Sequence, residues 1–193
     1  TLPVQGADLG HVHTLRSLAD SRRIIQNAER AKTAGVIGAS FIGMEVAASL
    51  KQRGLDVTVI APEKIPFESA LGHELGTFLK GLHEEKGVSF RLQSSVEEIR
   101  KDVVVLGDGS EIPAAPVGVG IGGDPETELA RDAGLEVDDG IVADEFLRTS
   151  HPDIYVAGDG ARYPEPRLGR PVRIEHWVLA QRQGRAAARN ILG

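Results

Sequence analysis

Hydrophobic and polar positions in the first sixty residues alternate between helical and extended spacing. Apolar side chains recur at helical intervals among charges over residues 17–32, which predicts an amphipathic helix. A short apolar run over residues 34–37 ends at Gly38, a second helical pattern covers 42–53, and residues 56–60 form a β-branched strand. Strand, glycine turn, helix and strand within about 30 residues predict a βαβ unit.

The pattern changes from helical to extended after residue 87. A helix is predicted over residues 75–85, and Asp108-Gly109 is the strongest hairpin signal in the chain. The predicted strands that follow the helix cover residues 88–92, 96–99, 103–106 and 117–121. Residues 1–13 are expected to form an irregular lead-in.

The last third of the chain has a different pattern and is predicted to be a second module. Here we expect a helix over 127–133, strands over 140–142 and 154–157, and a closing helix over 176–192. The predicted fold class is α/β, with a Rossmann-like three-layer domain and a β-meander over residues 1–123. Residues 124–193 form the second predicted module.

Composition excludes several classes of function. The chain of 193 residues has a formal net charge of −6 with interleaved signs, which argues against a nucleic-acid-binding or anionic-membrane-binding protein. It has no cysteine, hence no disulfide or thiolate chemistry, and its six histidines show no metal-ligand spacing. No apolar run reaches the length of a membrane span, so we expect a cytoplasmic protein without a metal centre.

Residues 38–43, Gly-Ala-Ser-Phe-Ile-Gly, lie between a predicted strand and a predicted helix, where a dinucleotide fingerprint belongs. Gly38 would allow the tight turn, Gly43 the close approach of helix to strand, and the helix N-terminus would receive the pyrophosphate. Ser40 replaces the middle glycine of the fingerprint, and its hydroxyl can donate to a phosphate. The alternative is a glycine turn that only packs a helix on a sheet.

The acidic residue that binds the adenosine ribose is expected about 20 residues after the fingerprint. The strand over 56–60 is followed by Ala61, and Glu63 comes two residues later. Lys64 is the only cation nearby and no arginine is placed to bind a 2′-phosphate, which favours NAD over NADP. The alternative for Glu63 is a solvated loop carboxylate.

Five segments resemble the pyridine-nucleotide-dependent FAD oxidoreductases, in particular ferredoxin and rubredoxin reductases and the apoptosis-inducing-factor-like proteins. The segments are Thr14 to Asp20, Phe41 to Ala47, Gly120 to Gly122, Ile154 to Asp159, and Glu175 to Trp177. They occur in the order of the family and extend through nearly the whole chain. The resemblance implies that residues 124–193 are the returning segment of an FAD-binding domain that is interrupted by the NAD-binding domain.

The resemblance also implies roles for individual residues. The expected pyridine-nucleotide site consists of Gly38, Ser40, Phe41, Ile42, Gly43, Glu45, Glu63, Gly120, Ile121 and Gly122. The expected FAD site consists of Arg16, Gly158, Asp159, Glu175, His176 and Trp177. Glu45 would point from the first turn of its helix to the nicotinamide, and Trp177 would lie near the isoalloxazine. Both are expected to position cofactors rather than to react.

The implied function is transfer of hydride from NADH to FAD, followed by electron transfer to an acceptor such as a ferredoxin- or rubredoxin-like protein. A quinone and oxygen are alternative acceptors. The family's N-terminal flavin fingerprint and its C-terminal domain are not found in these residues, so we expect a fragment that is inactive alone. One alternative is an apoptosis-inducing-factor-like NAD-binding redox or signalling module. A two-substrate NAD dehydrogenase is a further alternative, but no side chain is evident for the proton transfer it requires.

Overall fold

A parallel β-sheet organises the first of two units of the chain, and this unit ends at Gly122. The computed structural model describes residues 2–193. The strands of this unit are β1 (Val12–Thr14), β2 (Thr33–Ile37), β3 (Asp56–Ile60), β4 (Val88–Arg91), β5 (Val96–Arg100), β6 (Val103–Leu106), β7 (Glu111–Pro113) and β8 (Val117–Val119). Five of them form the parallel sheet, in the order β1-β8-β2-β3-β4.

Three helices accompany the parallel sheet: α1 (Leu18–Ala28), α2 (Phe41–Gln52) and α3 (Glu68–Glu85). Ala47 and Leu50 of α2 are buried in one cluster with Val36 and Val57 of the central strands. A second cluster joins other sheet residues, such as Val117, to β5–β7, which pair as a three-stranded antiparallel meander. Helices, sheet and meander make three layers, and the predicted α/β Rossmann-like class is confirmed.

The first unit differs from the prediction at β1 and at the start of α3. Residues 1–13 were expected to be irregular, but Val12–Thr14 forms β1 and pairs in parallel with β8. Backbone pairing with a neighbour that lies about 100 residues away in sequence is invisible to a local pattern. Helix α3 begins at Glu68 rather than near residue 75, although Gly72 inside it is not helical (φ +78°).

The second unit spans residues 123–193 and is built around a small sheet and a long helix. Its elements are α4 (Glu128–Asp132), β9 (Ile141–Val142), β10 (Ala161–Glu165), β11 (Arg170–Arg173) and α5 (Trp177–Leu192). Strand β10 pairs in parallel with β9 and forms a hairpin with β11. None of the helices within residues 2–193 combines the length and the apolarity needed to cross a bilayer.

The strand predicted over residues 154–157 is wrong. Tyr155 makes only an isolated bridge with Arg148, because the backbone of this segment bonds to residues 147–149 instead of extending a ladder. The strands β10 and β11 lie in a segment for which no strand was predicted. Their sequence is rich in proline and arginine and lacks a clear apolar alternation. Pro164 and Pro171 face each other in this hairpin, which leaves no amide donor at either position.

Candidate functional site

An open cleft of about 580 Å³ lies at the carboxyl ends of the central strands of the first unit. The strand order changes direction between β2 and β8, and open parallel sheets bind ligands at such a point. Six of the ten residues predicted for the pyridine nucleotide line the cleft: Gly38, Ser40, Glu63, Gly120, Ile121 and Gly122. Residues that are distant in sequence therefore share one surface.

Three glycines pack against one another beside this cleft, and two of them, Gly38 and Gly120, line it. Gly38 has φ +105°, and a Cβ atom there would overlap the carbonyl oxygen of Gly120. A Cβ atom at Gly120 would lie 2.8 Å from the amide nitrogen of Gly43, and one at Gly43 would overlap the carbonyl oxygen of Gly38. The backbones of the β2–α2 turn and of the segment after β8 can approach this closely only because side chains are absent at these positions.

The N-terminus of α2 opens onto the same cleft. Ser40 is the N-cap residue with extended backbone (φ −101°, ψ −167°), and its side chain makes no capping hydrogen bond. The first N–H groups of a helix have no partner within the helix, so they and the Ser40 hydroxyl are available to an anion. Phe41 and Ile42 are 52 % and 41 % exposed, and the Phe41 ring packs edge-on against Phe67 at 5.2 Å.

Glu63 lies exposed on the cleft in the loop that follows β3. Its carbonyl accepts a hydrogen bond of 3.1 Å from the Gln93 amide, and the Ser94 amide donates to the Ala61 carbonyl at 3.1 Å. These bonds join the loop after β3 to the loop after β4. Among the described residues, those that line the cleft include no lysine or arginine that could pair with a 2′-phosphate.

Glu45 was expected to lie in the first turn of α2, but it lies after that turn. It is the fifth helical residue, and it lines a separate groove of about 210 Å³ together with Leu15 and Ile24. A residue five positions after the N-cap has completed more than one turn at 3.6 residues per turn. Its contact with a nicotinamide therefore stays a prediction.

The remaining predicted residue of the first unit is Arg16, immediately before α1. Its side chain is exposed, and its backbone amide donates to the Asp20 carboxylate at 3.1 Å. Ser17 and Asp20 form a reciprocal capping box that begins the helix. The backbone of Arg16 is thereby fixed while its guanidinium is left exposed.

In the second unit, the turn at Gly158-Asp159 is attached to α5. The Gly158 amide, at φ +86°, donates to Oε1 of Gln183 at 2.8 Å, and Gln183 is only 6 % exposed. A Cβ atom on Gly158 would lie 3.4 Å from the Ala180 side chain. Asp159 is exposed. The helix thus determines where this carboxylate is presented.

Arg173 connects the same turn to two acidic residues. Its guanidinium donates to the Asp159 carbonyl at 3.3 Å, to the Asp139 carboxylate at 3.3 Å, and to the Glu175 carboxylate. The hydrogen bond to Glu175, followed by the nearby carboxylates, raises the pKa of Arg173 despite its partial burial. Glu175 is therefore held by a permanent cation beside Asp159.

His176 and Trp177 begin α5. His176 is the N-cap residue and its Nδ1 accepts a hydrogen bond from the Val178 amide at 3.3 Å, which requires an unprotonated Nδ1. The His176 and Trp177 rings are 6.4 Å apart with an interplanar angle of 22°. Trp177 is 70 % exposed, so its indole presents an open apolar surface at the start of the helix.

Sequence reasoning missed several residues that the structure brings to these sites. In the cleft they include Ser69, Ser94 and Ser95; in the second unit they are Gln183 and Arg173. Ser94 and Ser95 follow β4, and the rule that ligands bind beyond the carboxyl ends of parallel strands could have found them. No comparable sequence signal marks Gln183, because its role depends on a contact across 25 residues.

Comparison with known proteins identifies the origin of this arrangement. The model of the pyridine nucleotide-disulphide oxidoreductase family matches residues 1–184. The chain belongs to this family. The resemblance inferred from five short segments is thereby confirmed. The matched residues include Gly38 and Gly120 of the cleft.

Individual relatives of the family agree with this assignment. The ferredoxin–NAD(+) reductase component of the anthranilate 1,2-dioxygenase system from Burkholderia cepacia is 40 % identical over 94 % of the chain, and the chain covers 46 % of it. Apoptosis-inducing factor 3 from Mus musculus is 36 % identical over 100 % of the chain and is covered to 33 %. The chain thus spans less than half the length of these relatives.

A solved structure shows the same fold. The ferredoxin reductase from Rhodopseudomonas palustris has a TM-score of 0.94 and is 34 % identical. The match covers 100 % of this chain and 49 % of that protein. Both units therefore have counterparts within one longer chain.

Proposed function

We propose that this chain supplies the NAD-binding unit and part of the FAD-binding unit of an NADH-dependent flavoprotein reductase. The observation that carries the proposal is the cleft in which the backbones at Gly38 and Gly120 meet beneath the N-terminus of α2. The electron acceptor we propose is a ferredoxin- or rubredoxin-like protein, in a cytoplasmic setting. The named ferredoxin reductases among its relatives support this choice.

The residues of the first unit fit a pyridine dinucleotide. Three features at the start of α2 suit a pyrophosphate. They are the first backbone N–H groups of the helix, the Ser40 hydroxyl, which makes no capping hydrogen bond, and the positive end of the helix dipole. Glu63, on the rim of the cleft, suits the hydroxyls of the adenosine ribose, since a carboxylate accepts two hydrogen bonds and repels a 2′-phosphate. Gly120 to Gly122 would let the rest of the dinucleotide lie against bare backbone.

The residues of the second unit fit a flavin. Asp159 is exposed at the end of a turn that Gln183 and Arg173 fix from two sides, and Trp177 offers an exposed aromatic surface. Hydride and single-electron transfer are the chemistry that a bound nicotinamide and flavin supply, while the protein orients them and excludes competing reactions. No side chain of this chain is required as a nucleophile or a base.

A second candidate function is an apoptosis-inducing-factor-like redox or signalling module. It is favoured by the 36 % identity to apoptosis-inducing factor 3 over the whole chain. In this case the chain would bind NADH through the same cleft, but ferredoxin would not accelerate oxidation of the bound nucleotide. Measuring NADH oxidation by the intact protein with and without ferredoxin separates the two candidates.

The pyridine-nucleotide assignment is tested by titrating the chain with NADH and NADPH. NADH is expected to bind more tightly than NADPH, and Glu63→Gln is expected to weaken NADH binding by about tenfold, because a hydrogen bond to a charged group contributes roughly 1.5 kcal/mol or more. Glu29→Gln is the matched control, since Glu29 is an exposed acid at the end of α1. Unchanged NADH affinity in Glu63→Gln would contradict the ribose assignment.

The flavin assignment is tested by incubating the chain with excess FAD, removing free flavin and recording the visible spectrum. A retained band that bleaches on addition of NADH would show that these residues suffice for both cofactors. Binding of NADH without retained FAD would support the first unit as the NAD-binding part. It would also show that Asp159 and Trp177 need further residues to hold a flavin.

A further inference from the structure

Three large apolar side chains lie exposed along α3 of the first unit. They are Leu75, Phe78 and Leu82, which are 45, 65 and 43 % exposed and which we call the apolar stripe. At about 100° per residue, the three side chains leave the helix within about 60° of one another. Their i, i+3 and i+7 spacing is that of the narrow seam along which two helices pair in a coiled coil.

The opposite side of α3 holds the helix in the first unit. Gly76 is buried, and a Cβ atom there would overlap the carbonyl oxygen of Pro66. Leu79 packs against the core cluster of α2 and the central strands, and the Lys80 ammonium lies 5.5 Å from the centre of the Phe90 ring. The apolar stripe is centred about 120° around the helix from these contacts, so it belongs to the outer surface of the unit.

A groove of about 370 Å³ continues the apolar stripe towards α2. Leu82 lines this groove together with Ala48 and Val88, and Lys51 and Lys86 line it as well. The apolar surface therefore extends from α3 to α2 and has a charged rim. A contiguous exposed apolar surface rimmed by polar groups is typical of a site of protein association.

The two flanks of the apolar stripe carry opposite charges at its carboxyl end. Lys86 leaves the helix about 50° to one side of the stripe and Glu85 about 50° to the other. Among residues 2–193, neither of them forms an ion pair, whereas Lys80 and Glu84 on the far side of α3 pair with each other. Two copies that lie parallel would bring each acidic flank against a basic flank. An antiparallel pair would place like charges together.

We propose that the apolar stripe pairs with the apolar stripe of a second copy of this chain, about a two-fold axis parallel to α3. Such a contact is isologous, so Lys86 of each copy faces Glu85 of the other. Burial of the apolar side chains supplies the association, and the charges select the parallel orientation. An acidic amphipathic helix of another protein would match the basic flank only. The apolar stripe does not line the nucleotide cleft, so this pairing is independent of the proposed function.

The first test is sedimentation equilibrium of the 193-residue chain over a series of concentrations. The variant L75Q/L82Q removes two leucines of the apolar stripe, and glutamine keeps the helix propensity. The matched control L129Q/L168Q changes two leucines of the second unit that are also exposed. We expect the dissociation constant of the dimer to rise by at least about tenfold in L75Q/L82Q and to stay within about twofold of wild type in the control.

The second test exchanges the flanking charges. K86E and E85K each place like charges across the two-fold axis, so each variant alone should dimerise less tightly than wild type at low salt. A mixture of the two variants should form a heterodimer, because every flanking pair is then of opposite sign. High salt should reduce these differences. Both substitutions are at exposed positions, and circular dichroism verifies that each variant is folded.

Several results would overturn the proposal. A wild-type chain that stays monomeric up to about 1 mM would exclude the pairing, since even a weak complex with a millimolar dissociation constant is populated there. Dissociation of the dimer by L129Q/L168Q would place the contact on the second unit. A mixture of K86E and E85K that fails to dimerise would refute the parallel arrangement. An acidic amphipathic peptide that binds the wild-type monomer but not L75Q/L82Q would assign the apolar stripe to a different partner.

Discussion

Gln183 is the buried polar side chain on which the presentation of Asp159 depends. Its Oε1 accepts the Gly158 amide at 2.8 Å, and the residue is 6 % exposed. Leucine has a similar volume and no acceptor, so Gln183→Leu would leave a buried amide without a partner. This costs about 1–3 kcal/mol. We expect the free energy of unfolding of the second unit to fall by about that amount.

Urea unfolding followed through Trp177 is the suitable assay, because the single tryptophan of the sequence lies in the second unit. Hydrogen exchange of the Gly158 amide provides a local measurement, and it should become faster in Gln183→Leu. Gln181→Leu is the control, since Gln181 is exposed on the same helix. A surface substitution of this kind is expected to change stability by less than about 0.5 kcal/mol.

The reasoning would be refuted by a specific combination of results. If Gln183→Leu unfolds at the urea concentration of the wild type and the Gly158 amide keeps its protection, the hydrogen bond does not hold the turn. If both glutamine variants lose stability equally, the effect comes from placing a leucine on this helix rather than from the buried amide. Retained FAD binding by the chain in Gln183→Leu would further show that the turn does not need this support.

Two further predictions concern the first unit. The hydrogen bond from the Ser17 hydroxyl, then the Arg16 amide and Arg23, lower the pKa of Asp20 from 3.8 to about 2. A depressed carboxyl pKa stabilises the fold above the unfolded value, so the stability difference between wild type and Asp20→Asn should be constant above about pH 5 and shrink between pH 4 and 2 in acid titrations. Gly120→Ala places a methyl group 2.8 Å from the Gly43 amide nitrogen, and it should lower both the melting temperature and the NADH affinity in a titration. A wild-type NADH affinity in this variant would show that the glycine packing does not shape the cleft.

The local sequence pattern was sufficient to predict an element where its apolar positions are also the positions that the fold buries. The βαβ unit around residues 33–60 follows the predicted bounds closely, because its strands are β-branched, its helix has an apolar face and glycines stand at the turns. The segment 154–157 has the same apolar character and forms no strand. Its backbone partners are nearby loop residues, and a local pattern cannot distinguish these from a strand.

For the candidate site, the location of Gly38 and Glu63 at the cleft was predictable because their spacing follows from the βαβ geometry itself, while their roles stay predictions. Polar and charged residues of the candidate sites that have no such spacing could not be predicted. Arg173 is an ordinary arginine in a proline-rich segment, and only the fold brings it to Asp139 and the Asp159 carbonyl. Glu45 was predicted in the wrong turn of its helix, since the position of an N-cap is decided by backbone geometry at Ser40.

The sequence by itself determined the α/β class, the dinucleotide fingerprint and the family, because these depend on short-range periodicity and on fixed spacings. Tertiary structure alone decided that β1 joins β8, that three glycines pack at one point, and that Gln183 holds Gly158. Each of these arrangements includes a contact between residues far apart in the chain. These contacts stabilise the fold through close packing and through hydrogen bonds shielded from water. Both require the backbone to be folded, because only the fold brings the partners together.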